Sequence, residues 1–284
     1  MTRRTESRSK AFGIRTLLAV AAFAALAGAD EPKPESPVAL ACDAAGNIYI
    51  ADSRLPGIYK RDRQGALEVV FRGSPKNRTP LHSPRALTVA PDGSLLAADS
   101  ATSEVYRLVS GQPPLPLTRG SLEVPTGLAL TPEGDIIATD LRLGTVSRIA
   151  QAGGAPELIA QVPAPRGVAV RAGRDIVVLS MGPDQLVRVA PDGTVRPIVS
   201  GRPFRFPIAL LLGRELDGYV VSDSYAATVW SISDNGEVRP MAQGAPLVRP
   251  GGMARDPSGA LLVADPGARQ VFRITAEGDI QPLL

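Results

Sequence analysis

The chain is poor in the residues from which most active sites are built. Its 284 residues hold one cysteine (Cys42), one histidine (His82), one tryptophan and three asparagines (Asn47, Asn77 and Asn235), with 4% aromatic side chains. One cysteine rules out an intramolecular disulfide, even in an oxidising compartment. Cys42 sits in an apolar stretch with no histidine near it in sequence, and reads as a small core residue. One histidine rules out a His-rich zinc site. His82 reads as a surface loop residue; as a general base it would need an orienting acid, for which Asp99 and Glu123 are the nearest candidates. Past residue 29 helical periodicity is missing too.

The first 29 residues are set apart from the rest. Arg3, Arg4, Arg8, Lys10 and Arg15 make a basic start, Leu17 to Ala27 is an apolar run, and Ala27-Gly28-Ala29 is a small-residue cleavage sequence. That is the pattern of a secretory signal peptide over 1–29, and the run is about half the ~20 residues a spanning helix needs. The expectation is an exported protein, periplasmic or secreted, with no membrane anchor after cleavage. The whole chain has 31 basic and 28 acidic residues; the leader takes 5 and 1, leaving 26 against 27, so the mature chain is nearly neutral. Bulk charge therefore gives no case for nucleic-acid binding. Residues 30–36, with prolines at 32 and 34, read as a disordered lead-in.

Six copies of one pattern fill residues 37–284. Prolines open them at Pro37, Pro84, Pro125, Pro165, Pro207 and Pro250, at intervals of 47, 41, 40, 42 and 43. Fifteen or sixteen positions later stand Asp52, Asp99, Asp140, Ser180, Asp223 and Asp265, serine being the one exception. Six further on is always an aliphatic residue: Ile58, Val105, Val146, Leu186, Val229 and Val271. Each copy divides into four short apolar runs separated by Gly-containing turns such as Pro132-Glu133-Gly134. A period of 40–50 residues with this content predicts an all-β fold, a six-bladed β-propeller of four-stranded antiparallel blades. The first copy starts at its inner strand and the last ends on Ile280 to Leu284, so six sequential blades should close by packing alone. About 255 residues leave no room for a second domain, and a monomer is expected.

The pattern Pro-x-Gly/Ala-apolar, then Asp-Gly-apolar-apolar-x-Ala-Asp, then apolar-x-Arg-apolar resembles the NHL repeat, most clearly over Pro84–Asp99 and Pro250–Asp265. The Asn that usually follows the Asp by three is replaced by Leu55, Thr102, Leu143, Pro183, Ala226 and Ala268. The resemblance implies a non-enzymatic interaction platform. It is also distantly similar to the gluconolactonase and luciferin-regenerating-enzyme group, which implies, as the alternative, a lactone or ester hydrolase with a central divalent cation such as Ca²⁺ held by acids and asparagines. The three asparagines cannot supply a central pair: two lie in turns on the far face and Asn77 in a loop. Lyase-type propellers, which use several histidines, do not fit a chain with one. The reading is therefore of a protein with no catalytic residue, no metal site and no cofactor.

An acid repeated in nearly every blade serves the blade. Asp52, Asp99, Asp140, Asp223 and Asp265 should accept backbone N–H groups of the following loop and pair with the basic residue eight positions on: Lys60, Arg107, Arg148 and Arg273. Function should then lie in the loops. Those leading into the inner strands and those joining second to third strands share one face, the top, with twelve basic residues against three acids (Glu104, Glu123 and Asp184) once the repeated Asp is left out. The opposite face has fourteen acids and six basics. A basic face draws anionic partners: a small molecule, a glycan or a protein segment. The candidate ligand residues are Arg85, Arg166 and Arg249, expected nearest the central opening, with Arg202, Phe204, Arg205 and Tyr225 of blade 5 as an arginine–aromatic hot spot. The long loop 73–83 reads as a flexible lid or contact loop and carries the sequon Asn77-Arg78-Thr79.

Overall fold

The protein is described by a computed structural model covering Met1 and residues 33–284, except 56, 74, 75, 77, 78, 172–174 and 215–217. The leader expected over 1–29, and Asn77 and Arg78 of the sequon, lie outside these residues. Six four-stranded antiparallel sheets follow one another in sequence order as the blades of a β-propeller. Their inner strands run over Pro37–Cys42, Pro84–Val89, Pro125–Leu130, Pro165–Val170, Pro207–Leu212 and Met253–Arg255. The turns behave as their sequences require: Gly134, at φ +90°, holds the left-handed conformation that closes the first hairpin of blade 3.

No blade has a core of its own. The buried side chains fall into six clusters, each filling the space between two neighbouring blades. The last joins Leu40, Ile48, Ile50 and Tyr59 of blade 1 to Ala254, Leu262, Ala264 and Val271 of blade 6. The ring therefore closes by packing, with no strand exchanged. How near the inner strands approach is set by the residue two places after each opening proline: Ala39, Ala86, Gly127, Gly167, Ala209 and Gly252. A Cβ on Gly252 would come 2.5 Å from Ala39 Cα, one on Gly167 2.6 Å from Leu210 N, and one on Gly127 would strike Arg166 O.

The repeated carboxylates, each 0–1% exposed, clasp two loops rather than one. Asp140 accepts N–H bonds from Glu123 and Val124 of the loop before the inner strand, and from Arg142 and Leu143 of the loop after the second strand. Asp52, Asp99, Asp223 and Asp265 repeat the arrangement through Ser36, His82 and Ser83, Arg205 and Phe206, and Val248 and Arg249. The expected pairing with the third-strand bases does not occur. Antiparallel register sets Asp140 opposite Thr145 and Arg148 opposite Ile137, far down the strand. Arg107, Arg148 and Arg273 instead pair with Asp92, Asp135 and Asp256 at the other end of the blade, and Lys60 with Glu68.

Blade 4 explains its own exception. Two positions before the opening proline, where other blades offer an N–H, it has Pro163, which has none. Ser180 Oγ accepts the Gly182 N–H (2.8 Å) and donates to Pro163 O (2.6 Å), a bond no carboxylate could make.

A second repeated device escaped the sequence reading. Three residues before each opening proline stands a buried apolar side chain: Pro34, Leu81, Leu122, Val162, Phe204 and Leu247. The lead-in is accordingly ordered at its end: Ser36 N–H binds Asp52 (2.8 Å) and Tyr59 OH donates to Lys33 O (3.2 Å), contrary to the disorder expected through residue 36. The loop expected to be a lid is likewise pinned by Leu81, 1% exposed.

Two substitutions test these devices by denaturant unfolding. Gly252→Ala should cost about 1–3 kcal/mol by overpacking the blade 1–blade 6 join. Ser180→Asp should destabilise by about 1–3 kcal/mol, although it restores the consensus, because it sets an acceptor against Pro163 O.

Candidate functional site

The inner strands enclose a bore of about 500 Å³. At its upper end it is lined by Arg85, Thr126 and Ile208, each the residue that follows an opening proline. Arg85 is exposed, lines the bore and donates from Nε to Ser100 Oγ (3.0 Å). Thr126 donates to Pro165 O (3.1 Å).

Arg166 is half-buried. Its guanidinium carbon lies 4.5 Å over the Phe206 ring, and Phe206 stacks on Tyr225 at 4.6 Å and 18°. Two groups this close to one ring occupy its opposite faces, so arginine, phenylalanine and tyrosine form a column. Tyr225 ends it, 64% exposed. The Arg166 Nε is buried without a hydrogen-bond partner. Burial, then the neighbouring Arg85, lowers the Arg166 pKa from its ordinary value. A desolvated cation beside a like charge is unfavourable without a counter-ion. The Phe206 π-face offsets part of that by about 1–2 kcal/mol.

The acids of this face are already engaged. Glu104 is buried and accepts the N–H groups of Leu117, Thr118 and Gly120, capping the loop after its blade's outer strand. Gln185 and Gln270 do the same at the equivalent place. Glu123 pairs with Arg142 (2.7 Å), and Asp184 accepts the Gly201 N–H (2.9 Å). Among the described residues no ion pair is made by Arg54, Arg85, Arg119, Arg166, Arg205, Arg249 or Arg269. On the opposite face the acid excess is offset by bases reaching down the third strands and by the Arg171–Asp234 pair (2.6 Å). The burial of Glu104 and these pairs correct the charge count by loops.

The proposed ligand residues therefore divide. Arg85 lines the bore, and Arg166, close enough to feel the Arg85 charge, stands on the Phe206–Tyr225 column beside it, outside the bore lining. Arg202 and Arg205 are exposed on blade 5, Arg202 donating to Met181 O (2.9 Å). Arg249 is exposed, but is not among the residues lining the bore. Phe204 is a correction: it is 3% exposed and meets Trp230 at 6.1 Å in the blade 4–blade 5 core. It is the buried residue three before the opening proline. Phe206, two residues on, is the aromatic at the surface.

A central cation does not fit these residues. The described wall of the bore carries no carboxylate, asparagine or histidine, and the repeated carboxylates spend their oxygens on backbone N–H groups. Hard cations need several oxygen ligands converging on one point.

No family model matches the chain, and no curated protein matches it. Solved structures do. Virginiamycin B lyase from Staphylococcus aureus is 17% identical with a TM-score of 0.64, over 87% of this chain and 84% of that one. A gluconolactonase from Xanthomonas campestris is 15% identical with a TM-score of 0.67, over 82% and 84%. A chain of the nidogen/laminin complex is 15% identical with a TM-score of 0.66, over 78% and 87%. At these identities the likeness establishes a shared propeller fold and no more, since one fold hosts many activities.

Cys42 lines the lower part of the bore. Burial, then Asp43 and Asp256, pushes its thiol up to about 11. Alkylation by iodoacetamide should therefore be slow at pH 8 and rise steadily towards pH 11; a plateau near pH 9 would show an unperturbed thiol.

Proposed function

We propose that this protein is an exported recognition propeller that captures an anionic ligand on its top face and does no chemistry of its own. The leader-like start, with its basic residues, apolar run and Ala27-Gly28-Ala29, supports export to the periplasm or outside the cell. The observation that carries the binding reading is Arg166: a half-buried guanidinium beside Arg85, without a carboxylate partner, held on the Phe206–Tyr225 column. Arginine and exposed aromatic side chains on loops held by a rigid scaffold are the usual make-up of a binding hot spot. The repeat pattern, similar to NHL propellers, favours an interaction platform.

The hydrolase alternative draws only on fold likeness to a gluconolactonase, and its cation would find no ligand set in the bore wall. The lyase likeness meets a similar obstacle. An inactive form of that lyase has a histidine replaced by alanine, and this chain has a single histidine, His82, where the lyase-type reading calls for several.

The test is capture of inorganic sulfate, acidic glycans and acidic peptides by the full chain, against the triple variant Arg85→Ala/Arg166→Ala/Arg249→Ala. Binding should weaken at least tenfold, about 1.4 kcal/mol, and fall with added salt, while the melting temperature stays nearly constant. Unchanged binding by the folded triple variant would refute the proposal. Loss of folding would show the arginines to be structural.

A further inference from the structure

Below its charged rim the bore changes character. The residues five places after the opening prolines are Cys42, Val89, Leu130, Val170, Leu212 and Arg255. All six are only half-buried and all line the bore. Ile208 and Leu211, higher up, are likewise half-buried and face it. Each of the lower-ring apolar residues packs on one side against an inter-blade cluster and keeps part of its surface open to the bore. The one charged member of the lower ring is already engaged: Arg255 donates to Gly259 O (3.1 Å) and Leu212 O (3.0 Å). Arg85 stands at the top, close enough to Arg166 to feel its charge, and an aliphatic wall lies beneath it; at the floor Arg255 and the exposed Arg214 both spend guanidinium N–H groups on backbone oxygens, Arg214 on Ser258 O (3.4 Å). Six residues of inner strand make it about 15–20 Å deep. Its volume of about 500 Å³ lies within the ~300–1,000 Å³ of small-molecule sites.

We propose that the bore is the ligand site, and that it takes an amphipathic anion: a carboxylate with an aliphatic body. The carboxylate is held at the rim between Arg85 and Arg166, and the apolar body extends down against Ile208, Leu211, Val89, Leu130, Val170 and Leu212. The inference rests on the reading of the rim as an anion site and adds the chemical class of the ligand. Neither half suffices alone. Arginine at a wet rim holds a bare carboxylate weakly because water competes. An uncharged alkyl chain would leave the Arg166 cation without a counter-ion. One molecule carrying both groups meets both needs.

The experiment is titration calorimetry of the full chain with inorganic sulfate, acetate, octanoate and octanol. Octanoate should bind at least a hundredfold more tightly than acetate, since each buried methylene contributes about 0.8 kcal/mol. Val89→Phe and, separately, Val170→Phe fill the lower bore; each should cut the octanoate advantage below tenfold and leave acetate and sulfate unchanged. Arg166→Ala should weaken octanoate and sulfate together. Octanoate binding no tighter than acetate, with sulfate still bound, would overturn the bore inference and leave the rim reading standing. Octanol binding as tightly as octanoate, with sulfate unbound, would overturn the rim reading and this inference with it. An octanoate advantage that survives in folded Val89→Phe and Val170→Phe would place the apolar body outside the bore.

Discussion

A buried carboxylate shared between two loops is the interaction on which this propeller depends. A β-blade leaves its connecting loops with N–H groups that point inward and have no strand to meet, and leaving them unpaired costs about 1–3 kcal/mol apiece. One aspartate at the end of the second strand answers four of them in blade 3, from Glu123 and Val124 on one loop and Arg142 and Leu143 on the other. Charge-assisted bonds of this kind are about twice as strong as neutral ones. They fix the loop that leads into the inner strand against the loop that leaves the second. The top face is thereby built on a rigid base, and side chains displayed there are held in place instead of searching for partners.

Much of this was legible because a repeat multiplies weak signals by six. The spacing from proline to aspartate to aliphatic residue specified blade number, strand order and the structural duty of the acids. Details that depend on which end of a strand a side chain reaches were harder to see. Arg148 follows Asp140 by eight residues, but antiparallel pairing carries it to the far end of the blade and into contact with Asp135. Phe204 and Phe206 are nearly identical in their local sequence. What separates them is the buried position three before each opening proline, a signal present in all six copies and visible only when they are aligned on that proline. Ser180 breaks the run of repeated acids, yet the missing N–H of Pro163, written in the same sequence, makes serine the right residue there.

The candidate site was legible in kind and less so in detail. Arginine-rich loops on one face pointed to anions, but a loop count cannot say which charges are already spent. Glu104 turned inward as a cap, Glu123 took Arg142, and the far-face acids took the bases of the third strands. What remains unpaired is a short list, and Arg166 stands out because it is also half-buried. The aliphatic lower bore was not foreseen. Inner strands of a propeller read as uniformly apolar, and periodicity alone does not show which of their side chains face a neighbour and which face the axis.

The small residue at Gly252 has a consequence for the motion of the whole ring. Five of the six interfaces join blades that are also tied by a connecting loop, so a pair that parts is held at high effective concentration and closes again quickly. Among the described residues, blades 6 and 1 are joined by their shared cluster and the Gly252 N–H to Val38 O contact (3.0 Å). Thermal opening of the circle is then directional: it starts at that seam and turns a closed ring into an arc with a defined gap. A ligand too bulky for the rim would have a lateral door at one fixed place on the circumference, beside the inner strand that carries Cys42.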